Sequence, residues 1–228
     1  QDLGARSPLE QRMLQMFYIT VWQETATSWD NSLVQDNLRM LIDSPVMMEE
    51  LLELLRYNYS RIDFIDEPVD VGFDCPLDLY CTYTRDQLMV ALDYMSPSNI
   101  REGVKWLPEK EIDVFLVTLN KSDKDYSPTT MYQDYSINEN LFHWQSQSTT
   151  SDTSPTGKRY IHHVGNGSRV LLFVREYKTD MAGAAPYSFL GTANYVSHTG
   201  SRPMNIIWRL NRPIPAKFIK KTNKLVAG

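Results

Sequence analysis

The apolar residues of this chain change their spacing near residue 100, and that change limits the fold to two kinds of element laid end to end. Before it, apolar side chains recur at helical intervals. In "SPLEQRMLQMFYITVWQE", Ser7, Pro8 and Glu10 form a capping box with proline at the first helical position. Leu9, Met13, Met16, Phe17 and Val21 then repeat along one face. "DNSLVQDNLRMLI" repeats the pattern with Leu33, Leu38, Leu41 and Ile42. "SPVMMEELLELLRYNY" reuses the Ser-Pro start at Ser44 and Pro45, and "TRDQLMVALDYM" opens on Thr84 with Gln87 three residues later. A looser stretch from Asp63 to Tyr80 carries Pro68, Gly72 and Pro76. After the change, short runs rich in Val, Leu and Phe replace the stripes: 113–120, 169–177, 187–200 and 204–215. They are bounded by Gly, Pro, Asn and Ser, as in a β-sheet or small barrel. The expectation is an α+β chain, helical over 1–100 and β-rich over 101–228.

Charge follows the same division. Residues 1–107 hold 8 Lys and Arg against 18 Asp and Glu, whereas residues 155–228 hold 12 against 2. A chain so divided can face a polyanion with its basic part. The alternative is a basic face turned toward the chain's own acidic half. No apolar run approaches the ~18 residues of a membrane span, and no secretory leader is legible, so the expected location is cytoplasmic and the membrane is no partner. The sequence begins at Gln1, which reads as a piece of a longer protein.

Catalytic signatures are absent from the sequence. There is no Gly-rich phosphate loop and no nucleophile elbow. Cys75 and Cys81 lack a second pair and read as structural thiols, and His143, His162 and His163 have no zinc-site spacing, so neither metal nor cofactor is expected. The segment that stands out is the connection 121–168. It is long for a compact domain and too aromatic for a disordered linker. Within it, "NLFHWQSQSTTSDTSPTGKRYIHH" runs from rings through amides and hydroxyls to a basic patch.

Three stretches carry a resemblance. "EIDVFLVTLNKSDKDYSPTTMYQDYSINENLFHWQSQSTTSDTSPTGKRYI", "VLLFVREYK" and "PYSFLGTANYVSHTGSRPMNIIWRLNRPIPAKF" together resemble the C-terminal domain of large bacterial ATP-dependent defence proteins. In those, a phospholipase-D-type nuclease and a superfamily-two helicase precede this module, as in SauUSI-type type IV restriction enzymes. The similarity spans residues 100 to 225 densely. The helical part resembles the segment between helicase and end domain less distinctively. The resemblance implies an SRA-like module with a PUA-like β-barrel that reads 5-methylcytosine or 5-hydroxymethylcytosine in duplex DNA for an ATP-dependent restriction endonuclease. Its partners would be that DNA and the parent's helicase and nuclease domains, with no small-molecule substrate. Residues 1–100 would then be a linker docking on the helicase. The nuclease's HxK motif and the helicase motifs are not in this sequence, so the fragment is expected to bind rather than cut.

The residues themselves suit that task. A pocket that inspects a whole flipped base needs planar rings for stacking and amide or carboxylate groups for the Watson–Crick edge. Tyr126, Tyr132, Asp134, Tyr135, Phe142, Trp144, Gln145 and Gln147 offer both. Ser148, Thr149, Thr150 and Ser151, in the polar loop "STTSDTSPTGKR", would lie on phosphates with Lys158, Arg159, His162, Arg169, His198 and Arg202. Lys217, Lys220, Lys221 and Lys224 form a basic tail, and Arg209 and Arg212 read as solvated strand-edge residues. Alternatives stay open at several positions. Phe142 and Trp144, two apart, equally fit a core-facing pair, and Asp134 fits a turn cap. The whole chain also fits a non-catalytic interaction module that docks on the helicase and touches nucleic-acid backbone without reading a base.

Overall fold

Ser7 accepts a hydrogen bond from the Glu10 amide, and the Glu10 carboxylate accepts one from the Ser7 amide. This reciprocal cap starts α1, Pro8–Trp22. The structure is a computed structural model that describes residues 6–23, 31–62, 67–100, 103–120, 134–216 and 219. Helix α2 is Asn31–Ile42 and α3 is Pro45–Ser60. Val34 and Leu38 of α2 pack on Leu14, Tyr18 and Trp22, and Asn37 donates to the Tyr18 hydroxyl at 2.8 Å. The buried arc of α1 is turned from the expected stripe: Tyr18 and Ile19 are buried, while Met13 and Val21 are exposed. The helix is held from two sides, by α2 at Tyr18 and by a later helix, so its apolar arc follows both neighbours.

That later helix is α4, Arg85–Ala91, started by the Thr84–Gln87 capping box and preceded by β1, Thr82–Tyr83. Its Leu88, Met89 and Ala91, with Val71 and Leu77 upstream, share one core with Ile112, Val114, Leu171, Phe173 and Phe189 from the β-rich half. Arg12 of α1 grips Asp93, just beyond α4, at 2.8 Å. A boundary at residue 100 therefore runs through a packed body.

The strands are β2, Val104–Leu107; β3, Ile112–Thr118; β4, Tyr135–Ser136; β5, Leu141–Gln145; β6, Arg169–Arg175; β7, Thr179–Asp180; β8, Gly183–Ala184; β9, Tyr187–Thr199; and β10, Asn205–Leu210. Helix α5, Pro155–His162, lies between β5 and β6. The main sheet runs β2-β3-β6-β9-β10-β5-β4, with β1 on the first residues of β9, and β7 and β8 form a separate hairpin. Pairing is antiparallel except between β3 and β6. All seven residues of β3 are buried, because α4 covers one face and the inner core the other.

The sheet is strongly curled. β3 and β5 are four strand steps apart, about 19 Å if the sheet were flat. Yet the rings of Phe115 and Trp144, one from each, stack with centroids 4.1 Å apart. A bulge in β9 helps the bend. Its register against β6 shifts between Leu171 and Phe173, and Gly191 has φ +90°, with Leu79 2.9 Å from where a Cβ would lie. Tyr160 from α5 fills the concave side, edge-on to Phe115 and Trp144. Among the described residues no hydrogen-bonded pair joins the outer strands β2 and β4, so the sheet is curled and open where a closed barrel was expected.

Candidate nucleic-acid interface

β5 alternates sides, and the alternation sorts the expected base-pocket residues. Phe142 and Trp144 point inward and are core side chains, 0% and 4% exposed; their neighbours are Phe115, Tyr160 and Trp208 rather than solvent. His143 and Gln145 point outward. On the neighbouring strand Tyr135 lies opposite His143, and the two half-buried rings stack at 4.7 Å with planes 13° apart. Asn205 of β10 lies opposite Gln145 and accepts a hydrogen bond from its side-chain amide at 3.1 Å. Ile207 and Arg209 continue the same outward row, opposite His143 and Leu141. Asp134 is not a pocket carboxylate: it is 2% exposed and accepts the Gln145 backbone N–H at 2.9 Å, fixing the entry to β4 against the end of β5. Tyr126 and Tyr132 lie outside the described residues.

The result is one accessible face on β4, β5 and β10. It carries a stacked pair of rings, a coupled pair of amides, an aliphatic side chain and an exposed guanidinium. Rings and amides of this kind can stack on a base and read its edge, and Arg209 can meet a phosphate. His143, Asn205, Ile207 and Arg209 were not among the residues expected from sequence. The signal was partial: "LFHWQ" sets His143 on the side opposite Phe142 and Trp144, but the consecutive apolar residues Ile206, Ile207 and Trp208 hide the alternation of β10.

The expected phosphate-binding set is divided. The polar loop is not a free loop. Ser154 accepts the Gly157 amide, Pro155 follows it, and α5 begins there. Thr150 and Ser151 are buried, and the Ser151 hydroxyl accepts the Ser154 amide. Ser148 and Thr149 remain exposed, and half-buried Gln147 accepts the Thr150 amide through its carbonyl. The β9–β10 turn meets this loop, with the Arg202 amide donating to Thr150 and the Ser201 hydroxyl to Asp152. Exposed Arg202 therefore stands beside Ser148 and Thr149, at the Gln145–Asn205 end of the outward face. Arg159 is withdrawn from any phosphate role: it makes two hydrogen bonds to fully buried Asp113, at 2.8 and 2.9 Å, and stacks on Trp106. Burial pushes the Asp113 carboxyl up, and Arg159 only partly offsets that. Lys158 and His162 are exposed on α5. His198 lies opposite Ile206, on the inward parity, where its ring meets the Tyr195 hydroxyl at 2.6 Å. Arg169 lies against Gly72 and 4.0 Å from Asp70, and Arg212 pairs with Glu67, so part of the basic half does face acidic residues of the first half.

Two clefts open elsewhere. One, of about 560 Å³, lies between residues 67–70, the end of α5 and β9, and includes Arg169, Thr192, Asn194 and Arg212. The other, of about 320 Å³, lies beside Arg175, Asp180 and Leu190. Neither is lined by the base-pocket residues expected from sequence. Among the described residues no three of His, Cys, Asp or Glu gather as a metal set, and no helix is long and apolar enough to cross a membrane.

Fold and face together define an α+β module whose curled sheet exposes a ring-and-amide surface on β4, β5 and β10. The chain belongs to the family described as a domain of unknown function, DUF3427, which it matches over residues 77–221. The match begins upstream of β1 and so takes in α4 with the sheet. No curated protein matches the chain.

Proposed function

We propose that this chain reads modified cytosine, 5-methylcytosine or 5-hydroxymethylcytosine, in duplex DNA, as the targeting module of a cytoplasmic ATP-dependent type IV restriction enzyme. In this reading cutting and ATP hydrolysis belong to the parent's nuclease and helicase domains, and the curled sheet is a variant of the PUA/SRA-like barrel. The observation that carries the proposal is the outward face of β4, β5 and β10. There the Tyr135–His143 stack and the Gln145–Asn205 amide pair share a face with exposed Arg209, and exposed Arg202 stands at its end. Tyr135 takes the stacking role that Phe142 and Trp144 cannot fill from the core. A base turned out toward this face loses a few kcal/mol of pairing and stacking, and a ring returns ~1–3 kcal/mol of that.

Competition binding with methylated and unmethylated duplexes of one sequence tests the reading. Wild type is expected to prefer the methylated duplex. Tyr135→Ala should lower that affinity by ~1–3 kcal/mol and shrink the preference, with only a modest fall in melting from the lost His143 stack, because the ring is half-buried on the surface of the sheet. Equal affinity of wild type for both duplexes would refute base reading and leave a module that touches backbone only.

A further inference from the structure

We infer that the larger cleft, between residues 67–70 and the β9–β10 edge, is a site for a phosphate of the DNA backbone, and that Glu67 and Asp70 compete for it; the inference rests on the proposed binding of a duplex to the neighbouring face. Arg169 and Arg212 stand in the cleft wall with Thr192, Asn194 and Asn211. Asn194 donates to the Asn211 side-chain carbonyl at 2.8 Å, and Asn211 donates to the Thr192 hydroxyl at 2.7 Å. These bonds hold both amides in place, and each amide nitrogen keeps a second N–H. Gly72 makes room for one guanidinium: a Cβ there would lie 2.6 Å from Arg169 Nη1, so the fork rests on bare backbone. Two guanidinium forks and two amide N–H groups are the donors that an oxyanion needs.

The carboxylates beside these arginines show that oxyanions fit, and their hold is weak enough to yield. The Asp70 side chain is 86% exposed and comes no closer than 4.0 Å to Arg169. Glu67 pairs with Arg212, and both side chains are open to solvent, 38% and 55% exposed. Exposed pairs of this kind add little to stability, whereas phosphate oxygens accept strong charge-assisted hydrogen bonds from guanidinium groups. Exchange needs only side-chain rotation. The backbone of the segment is tied down, with the Leu79 amide donating to the Glu67 carbonyl at 3.0 Å and Pro68 bridged to Asp78. Position selects a backbone phosphate over a free anion. Asn194 lies directly opposite exposed Arg209 in the β9–β10 ladder, so the cleft continues the outward face that carries Tyr135, His143 and Gln145.

Duplex binding by the whole chain across a salt series tests the inference, with methylated and unmethylated DNA of one sequence. Arg212→Gln should weaken both duplexes by the same factor and make the fall of log affinity with log salt shallower by about 0.9, one phosphate contact. Arg169→Gln should do the same. Glu67→Gln should tighten both duplexes by roughly two- to fivefold, the worth of the exposed pair it removes. In the Arg212→Gln background Glu67→Gln should add nothing. Melting of each variant should stay near wild type, because the side chains are partly exposed. An Arg212→Gln chain with wild-type affinity and salt slope would overturn the site while leaving base reading intact. So would a Glu67→Gln gain of equal size with and without Arg212, which assigns that gain to the long-range field alone. A wild type without methyl preference whose Arg212→Gln variant still loses affinity would refute base reading and keep the phosphate site. A wild type that binds neither duplex would overturn both.

Discussion

Trp144→Ala separates a core role from a base-stacking role most sharply. The indole is 4% exposed, stacks on Phe115 at 4.1 Å and 21°, meets Tyr160 edge-on at 5.6 Å, and its residue pairs with Ile206 of β10. Truncation removes about 200 Å² of buried ring surface, worth about 5 kcal/mol at 25 cal/mol per Å². Partial collapse of the site brings the expected loss to ~3–5 kcal/mol. In a chain of this size each kcal/mol lowers the midpoint by ~2–4 °C, so thermal unfolding should shift by roughly 6–20 °C. Trp144→Phe keeps a ring against Phe115 and should lose only a fraction of that. Calorimetry gives the shift. Binding measured well below the new midpoint should show both duplexes bound as by wild type, with any methyl preference intact. If Trp144→Ala melts like wild type but loses discrimination between duplexes, the indole is in a binding site and the assignment of β5 to the core is wrong.

Two further outcomes rest on other contacts. Gly157→Ala should cost about 3 kcal/mol or more in urea unfolding, because a Cβ would collide with the Ser151 carbonyl oxygen and press on Met204 Sδ at 3.0 Å; unchanged stability would contradict the docking of α5. His163 is buried, with Nδ1 3.2 Å from the Ser168 carbonyl and Nε2 accepting the Tyr195 N–H at 3.0 Å, and burial holds its pKa below the ordinary imidazole value. The unfolded chain therefore binds the proton more readily, so this stability is present above about pH 6.5 and is lost as pH falls through the folded value. His163→Gln should flatten the fall in stability between neutral and mildly acidic pH, and an identical slope would remove His163 as its source.

The capping residues were legible because their partners are close in sequence. Ser7 with Glu10 and Thr84 with Gln87 start the helices they announce, the runs at 169–177, 187–200 and 204–215 contain β6, β9 and β10, and the run at 113–120 covers all of β3 but its first residue. The Ser-Pro pair at 154–155 carries the same signal as the pair at Ser7, yet the hydroxyls around it also read as a phosphate-binding loop. The local pattern alone does not choose between a cap and a ligand.

The tertiary structure made the other decisions. Alternation in "LFHWQ" says that Phe142 and Trp144 share a side, but which side is the core depends on β10, some 60 residues later, and on the curl that brings Phe115 across from β3. Arg159 is cationic in any reading; that its counterion is Asp113, 46 residues away and fully buried, follows only from the parallel register of β3 and β6 and the docking of α5. The sequence by itself determined the helical and β-rich halves, the caps at Ser7 and Thr84 and the charge imbalance, because spacing and composition act within a few residues. It left open which rings are core, which cations are neutralised and which face is exposed, because those depend on contacts between segments far apart along the chain.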